Sequence, residues 1–288
     1  MSTSIKEKIS TLAKDFLALY LKPIIASSIS FGVAFTPIPI LWRVLMCFIP
    51  WILLFVLERT VFEPERKKRI KMWAEHKKRV TPLLFMKVRK LVDSYLSKEE
   101  GKRKLKDYFS NLESICNIVR DYYVPGGGDS YDKYSISLKE IDSKEDIREV
   151  CRDTSALSQR RKHEFVKTPY PLEENTPYKE IINAYKKGEV KPYIENDVHK
   201  KILEGEYDCT RLHKAGGIKG VPYKSIFVSP ILPLVNPSKE KIRGFICVDA
   251  EDPDMFRAED NESLDIVFHE YISGVIYNMI EIQEQIKD

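Results

Sequence analysis

Apolar and polar positions divide this chain into three stretches. The first is apolar almost without interruption. Leu17 to Phe35 is 19 residues with one charge, Lys22, and Leu41 to Leu57 has one charge, Arg43. Thr36-Pro37-Ile38-Pro39 stands between them, and prolines so placed favour a turn. Each segment is near the lower length that crosses a hydrocarbon core of roughly 30 Å. The pair is expected to form a two-span helical hairpin over residues 1–58. An amphipathic start precedes it: Ser4 and Glu7 have capping-box spacing, and Ile5, Ile9, Leu12, Phe16 and Leu19 step by four and three. The length and the turn argue against a cleaved signal peptide.

In the second stretch, charge dominates. Residues 59–106 hold 17 Lys and Arg against 6 Asp and Glu, an excess of eleven positive charges in a chain whose net charge is +4. The remainder of the chain is therefore at −7. Leu84, Val88, Leu91 and Tyr95 step by four, three and four, so residues 59–104 are expected to form a basic helical connector with a break at Pro82. Its position after an apolar segment makes anionic lipid headgroups the expected partner and nucleic acid an unexpected one. Lys6, Lys8 and Lys14 before the hairpin and the basic strip after it predict an inner-membrane, multi-pass protein with both termini cytoplasmic. Ala26, Ser30 and Ala34, with Ser28 and Gly32, recur every four residues, a spacing that packs the hairpin on itself or builds a homo-oligomer.

Residues 105–288 are patterned like a soluble α+β domain. Leu105, Tyr108, Leu112, Ile115, Val119 and Tyr122 step by three and four in alternation, which predicts an amphipathic helix packed on its own domain with part of its face left for dimerisation. Pro125 to Asp129 ends it. Lys179 to Tyr185 reads as helix and Lys191 to Val198 as a short strand entering a loop. Tyr223 to Ile231 and Ile242 to Asp249 are apolar and rich in β-branched residues around the turn Asn236 to Lys239, a β-hairpin. An acidic loop, Glu251 to Asp260, leads into a closing helix carrying Leu264, Val267, Phe268, Tyr271, Val275, Met279, Ile282 and Ile286.

Candidate chemistry is sparse. The five cysteines form no CxxC pair, so neither a disulfide framework nor a zinc site is expected, and a reducing compartment is the default. There is no nucleophile elbow, P-loop or HExxH. The histidines are dispersed, and the acidic loop lacks calcium-loop spacing. A non-enzymatic protein without metal or cofactor is expected. The residues singled out for a ligand pocket are Asn196, Asp197, Arg211, His213, Ser229 and Asp249. A guanidinium at Arg211 can hold a phosphate bidentately, or stand solvated in a loop. Asn196-Asp197 can line a pocket or terminate a strand.

The opening helix, the segment YIENDV (193–198), the strand pair KSIFVSPI and KIRGFICVDA, and Phe256 to Asp260 before the last helix together resemble the GAF domain family over about 105–285. The resemblance implies an antiparallel sheet with helices on one face, often the dimerising face. It also implies a pocket on the other face that commonly holds a cyclic nucleotide or another small molecule. Phosphodiesterase GAF domains carry an Asn-Lys pair after the second hairpin strand, then Phe, three residues and Asp-Glu. Phe256 and Asp260 match. Asp249-Ala250 replaces Asn-Lys and Asn261 replaces Glu, so the Lys–Asp contact of that motif is missing. No cysteine stands in a bilin-attachment context.

With the hairpin, the expected function is a membrane-anchored sensor whose cytosolic domain binds a small ligand, a cyclic nucleotide among the candidates, and controls oligomerisation or permeabilisation by the two spans. This organisation is similar to that of bacterial antiphage effectors joining two spans to a nucleotide-sensing domain. The alternative is a non-enzymatic dimerisation scaffold that holds a partner protein at the membrane.

Overall fold

The structure, a computed structural model, describes residues 63–97, 105–124, 133–142, 144, 146–155, 169–214, 217–237, 241–256 and 262–287. The expected hairpin over 1–58 lies outside them, as does the Phe256-to-Asp260 motif beyond Phe256. Among the described residues no helix is long and apolar enough to cross a membrane. The chain divides into two units, Met1–Lys71 and Met72–Asp288, and the sheet belongs to the second.

Two long helices come first, α1 (Glu63–Leu96) and α2 (Leu105–Tyr123). Strands β1 (Tyr134–Ile141), β2 (Asp146–Arg152) and the short β3 (Tyr170–Pro171) follow. Then come α3 (Thr176–Lys186), β4 (Tyr193–Glu195), α4 (Val198–Leu203) and α5 (Thr210–Lys214). The hairpin β5 (Ser225–Ile231) and β6 (Gly244–Ala250) and the closing helix α6 (Glu262–Lys287) complete the fold. The six strands form one sheet in the order β3-β2-β1-β6-β5-β4, with every pair antiparallel. This is the expected α+β class.

The sheet's two faces differ because strand side chains alternate. On one face Tyr134, Ile136 and Leu138 of β1, Ile246, Val248 and Ala250 of β6, and Phe227 and Ile231 of β5 meet α1, α2 and α6. The predicted α2 stripe is consumed here: Leu112, Ile115, Val119 and Tyr122 are buried, and Phe109 remains exposed. Tyr122 stacks on Phe268 of α6 with ring centroids 4.0 Å apart. Burying a side chain the size of Leu112 contributes about 1.5–3 kcal/mol, which makes this helix face core first and any docking surface second.

The predicted break at Pro82 does not occur. α1 runs through it, with Leu84 and Val88 buried beyond it and Lys77 and Thr81 buried before it. Proline removes one N–H and crowds the preceding turn, at about 3 kcal/mol. The helix is anchored in the core on both sides, so packing outweighs that cost. Thr81 Oγ1 donates to the Lys77 carbonyl at 2.6 Å, one residue before the Lys78 carbonyl that loses its helical donor to Pro82. The compact unit begins at Met72, so the C-terminal part of the 59–104 connector packs with the sheet.

Candidate functional site

The sheet's second face carries a buried polar patch beside an apolar one. Phe245 and Cys247 of β6 and Ile226 and Val228 of β5 pack under Tyr178 and Ile181 of α3. On the neighbouring strands, register sets a different chemistry. Ser137 pairs with Arg152 of β2 and Cys247 of β6; Lys139 pairs with Glu149 and Phe245; Ser135 pairs with Asp249. Two cations and two carboxylates therefore share the β2-β1-β6 surface. The β1/β2 register shifts between Leu138 and Lys139, an irregularity of the kind that re-aims a side chain.

The charges are held by one another and by phenols. Arg152 and Glu149 form a bidentate ion pair with side chains 6% and 3% exposed, and Arg152 Nη1 donates to Ser135 Oγ at 3.1 Å. Lys139 Nζ donates to Tyr178 Oη at 2.7 Å and lies 5.4 Å from the Tyr170 ring centroid. Burial alone would lower the Lys139 pKa, but the surrounding groups raise it instead. At neutral pH the nearby phenols and thiol are un-ionised, so Glu149 and Asp249 are the charges that hold the ammonium. Burial raises Tyr178 well above the ordinary phenol value and also raises the Cys247 thiol. A thiol kept protonated is a poor nucleophile. The face is therefore arranged to hydrogen-bond and to balance charge, with acceptors at Asp249 and Glu149 and donors at Arg152 and Lys139.

The six residues expected to form a pocket are spread over the fold. Asp249 is 8% exposed and lies on this polar face. Ser229 is buried on the opposite face, beside His269 and Ser273. Asn196 Oδ1 accepts from the Phe256 N–H at 3.0 Å, tying the loop after β6 to the end of β4. Asp197 is the N-cap of α4 and accepts from the Lys200 N–H at 3.0 Å. His213 pairs with Asp208 at 2.7 Å, both more than half exposed. Arg211 stands in α5; its side chain lies outside the description. Sequence reading missed Lys139, Glu149 and Arg152. For Lys139 the signal was the alternation Tyr134-Ser135-Ile136-Ser137-Leu138-Lys139, which marks a strand, although its polar half is ordinarily assigned to solvent.

A second concavity, about 450 Å³, opens at the β4 edge and is lined by Glu180, Tyr193, Glu195, Lys201 and Glu206 among others. Glu206 pairs with Lys201, and Glu195 Oε1 accepts from the Asp197 N–H at 2.8 Å. Among the described residues no group of His, Cys, Asp and Glu is arranged to hold a metal ion.

No protein-family model and no curated protein matches the chain. Solved structures are similar to it. A GAF domain structure is 16% identical, with a TM-score of 0.44, over 71% of this chain and 89% of that one. A protein described as a GAF sensor from Burkholderia vietnamiensis is 13% identical, with a TM-score of 0.44, over 74% and 99%. Free methionine-R-sulfoxide reductase from Neisseria meningitidis, in complex with its substrate, is 12% identical, with a TM-score of 0.42, over 71% and 92%.

Proposed function

We propose that residues 72–288 are a GAF-like sensor domain that binds a small polar ligand over the face formed by Lys139, Glu149, Arg152 and Asp249. The observation that carries this reading is the burial of Arg152, Glu149 and Asp249, with Lys139 half-buried beside them, on a sheet whose other face is apolar. Buried ion pairs add little net stability over apolar packing, whereas perturbed, desolvated charges concentrate at functional sites. The charges balance. That favours a ligand presenting both an acceptor edge, for Arg152 and Lys139, and a donor edge, for Asp249. A cyclic nucleotide has both, through its phosphate and its base.

The hairpin over 1–58 and its basic collar anchor the sensor in the inner membrane, with both termini cytoplasmic and anionic headgroups as the collar's partner. Ligand binding changes self-association and, through it, the two spans, as an antiphage effector would require. With the α2 stripe in the core, self-association uses exposed apolar residues such as Met72, Leu83, Met86 and Phe109.

The test uses the full chain in nanodiscs and in dye-loaded vesicles containing anionic lipid. Cyclic mono- and oligonucleotides are added in turn. A ligand that raises the melting temperature of the chain, fails to do so for Lys139→Met, and releases dye supports the reading. Unchanged melting and intact vesicles with every ligand sink it.

A second reading, a non-enzymatic scaffold, is favoured by the mutual pairing of Arg152 with Glu149 and of Lys139 with Tyr178. It is distinguished by a dimer whose partner-holding survives Lys139→Met.

A further inference from the structure

Cys116 belongs to the buried stripe of α2 and is 2% exposed. Cys151 lies on β2, where it pairs with Leu138 of β1, packs against the helix layer and remains partly exposed. Their sulfurs, from positions 35 residues apart in sequence, are 3.6 Å from each other. The other two described cysteines have phenols for neighbours. The Tyr178 hydroxyl meets Cys247 Sγ at 3.5 Å, and the Tyr223 hydroxyl is directed at Cys209 Sγ at 3.9 Å.

The approach of the two thiols is fixed by contacts beside them. Arg120, one turn after Cys116, donates to Asp153, two residues after Cys151, at 2.8 Å, with side chains 4% and 0% exposed. Asp153 Oδ1 also accepts from the Ile136 N–H at 3.0 Å, which ties the pair to β1. Asn117 Oδ1 accepts from the Thr154 N–H and hydroxyl, both at 3.0 Å. α2 is thereby held against the end of β2, and the sulfurs stay neighbours. Groups held in this way react as if at a concentration far above that of any free thiol. A disulfide places its sulfurs ~2.0 Å apart, so they have about 1.6 Å to close.

The two thiols are not equivalent. Its hydrogen bond with Cys151 and its burial push the Cys116 thiol well above its ordinary value. It is shielded and protonated, and a protonated thiol is a poor nucleophile. Cys151 has the solvent access. We infer that Cys151 is a site of oxidation by hydroperoxides and that Cys116 resolves it to a reversible disulfide. The Cys151 thiolate attacks one oxygen of hydrogen peroxide, the O–O bond breaks, and hydroxide leaves from a sulfenic acid and takes up the thiol's proton as water. The Cys116 sulfur then attacks the Cys151 sulfur, and the sulfenic oxygen departs as a second water with the Cys116 proton. Two thiols and one peroxide give one disulfide and two waters, and a dithiol returns the electrons. Transient disulfides of this kind suit a reducing compartment. The bond lies on the helix side of β2 and does not depend on a ligand at the polar face.

The test exposes the full chain in nanodiscs to stoichiometric hydrogen peroxide, blocks the remaining thiols and maps the cysteine peptides by mass spectrometry. The expected product is the 116–151 disulfide, roughly tenfold over any other cysteine pairing and lost on adding dithiothreitol. Cys116→Ala should accumulate a sulfenic acid at Cys151 that dimedone traps, whereas Cys151→Ala should leave Cys116 unlabelled. The map of the parent chain stands whether or not either variant folds. Two intact thiols after peroxide, a Cys151 sulfinic acid beside a free Cys116, or a dominant bond through Cys47, Cys209 or Cys247 overturns the proposal.

Discussion

Lys77 of α1 and Asp265 of α6, 188 residues apart in sequence, form an ion pair at 2.8 Å with side chains 6% and 7% exposed. Tyr122 of α2 donates to the same carboxylate at 2.6 Å, and the Lys77 ammonium lies 4.9 Å from the Tyr123 ring centroid. Three helices thus meet at one charge pair. Removing one partner leaves the other charge buried, at about 3–5 kcal/mol. Lys77→Met or Asp265→Asn is expected to lower the melting temperature by roughly 10 °C. The double variant Lys77→Met/Asp265→Leu should recover much of the loss, and calorimetry on the three proteins checks this.

His269 supplies a pH dependence. Burial, with the Lys77 charge nearby, lowers its pKa from 6.5 to about 3. Between these values the unfolded chain binds a proton that the folded chain does not, so stability falls as pH drops below 6.5. At about 1.4 kcal/mol per pH unit, the penalty at pH 4.5 is about 2–3 kcal/mol. Denaturant titrations at pH 7 and 4.5 should show His269→Phe losing that much less on acidification than the parent. An equal loss would mean that the imidazole is not held neutral.

Arg152 and Glu149 test the polar face as structure. Arg152→Lys keeps the charge but loses the fork that engages both carboxylate oxygens and Ser135. It is expected to cost about 2 kcal/mol, since hydrogen bonds to charged groups are worth ~1.5–3. Urea unfolding measures it, and an unchanged midpoint would count against the bidentate geometry.

Pro82 is exposed within α1. Pro82→Ala restores the N–H and removes the ring's clash with the preceding turn. The expected outcome is a gain of about 1–3 kcal/mol, read as a raised melting temperature.

These residues also show what the sequence discloses. The α2 stripe was legible because its core positions recur at helical spacing and are all apolar. The β5–β6 hairpin was legible because both strands are apolar on both faces. β1 went unrecognised, although it lies at the sheet's centre and alternates correctly. Its polar half, Ser135, Ser137 and Lys139, resembles a solvent face, and only the pairing with β2 and β6 buries it. Asp249 was found because it ends a recognisable strand. Arg152 and Glu149 reach it through the register of two hydrogen-bonded strand pairs, which no local pattern encodes. Pro82 misled for the converse reason: a local rule was outweighed by core contacts on both sides.

Gly244 adds no functional group to the molecule. An added Cβ would lie 2.0 Å from the Lys139 carbonyl oxygen, so any side chain there forces β1 and β6 apart beside the ammonium. Gly244→Ala should cost about 3 kcal/mol, the upper end for overpacking, which thermal unfolding would reveal. Because side chains switch faces at every residue, a one-position slip of β6 to relieve the clash would send Asp249 into the helix core and Val248 among the charges. A mutational screen for loss of the proposed ligand response would then score Gly244 as though it were a binding residue. The screen would be reporting strand alignment, and hits at this glycine should be sorted by melting temperature before any contact with a ligand is assigned to them.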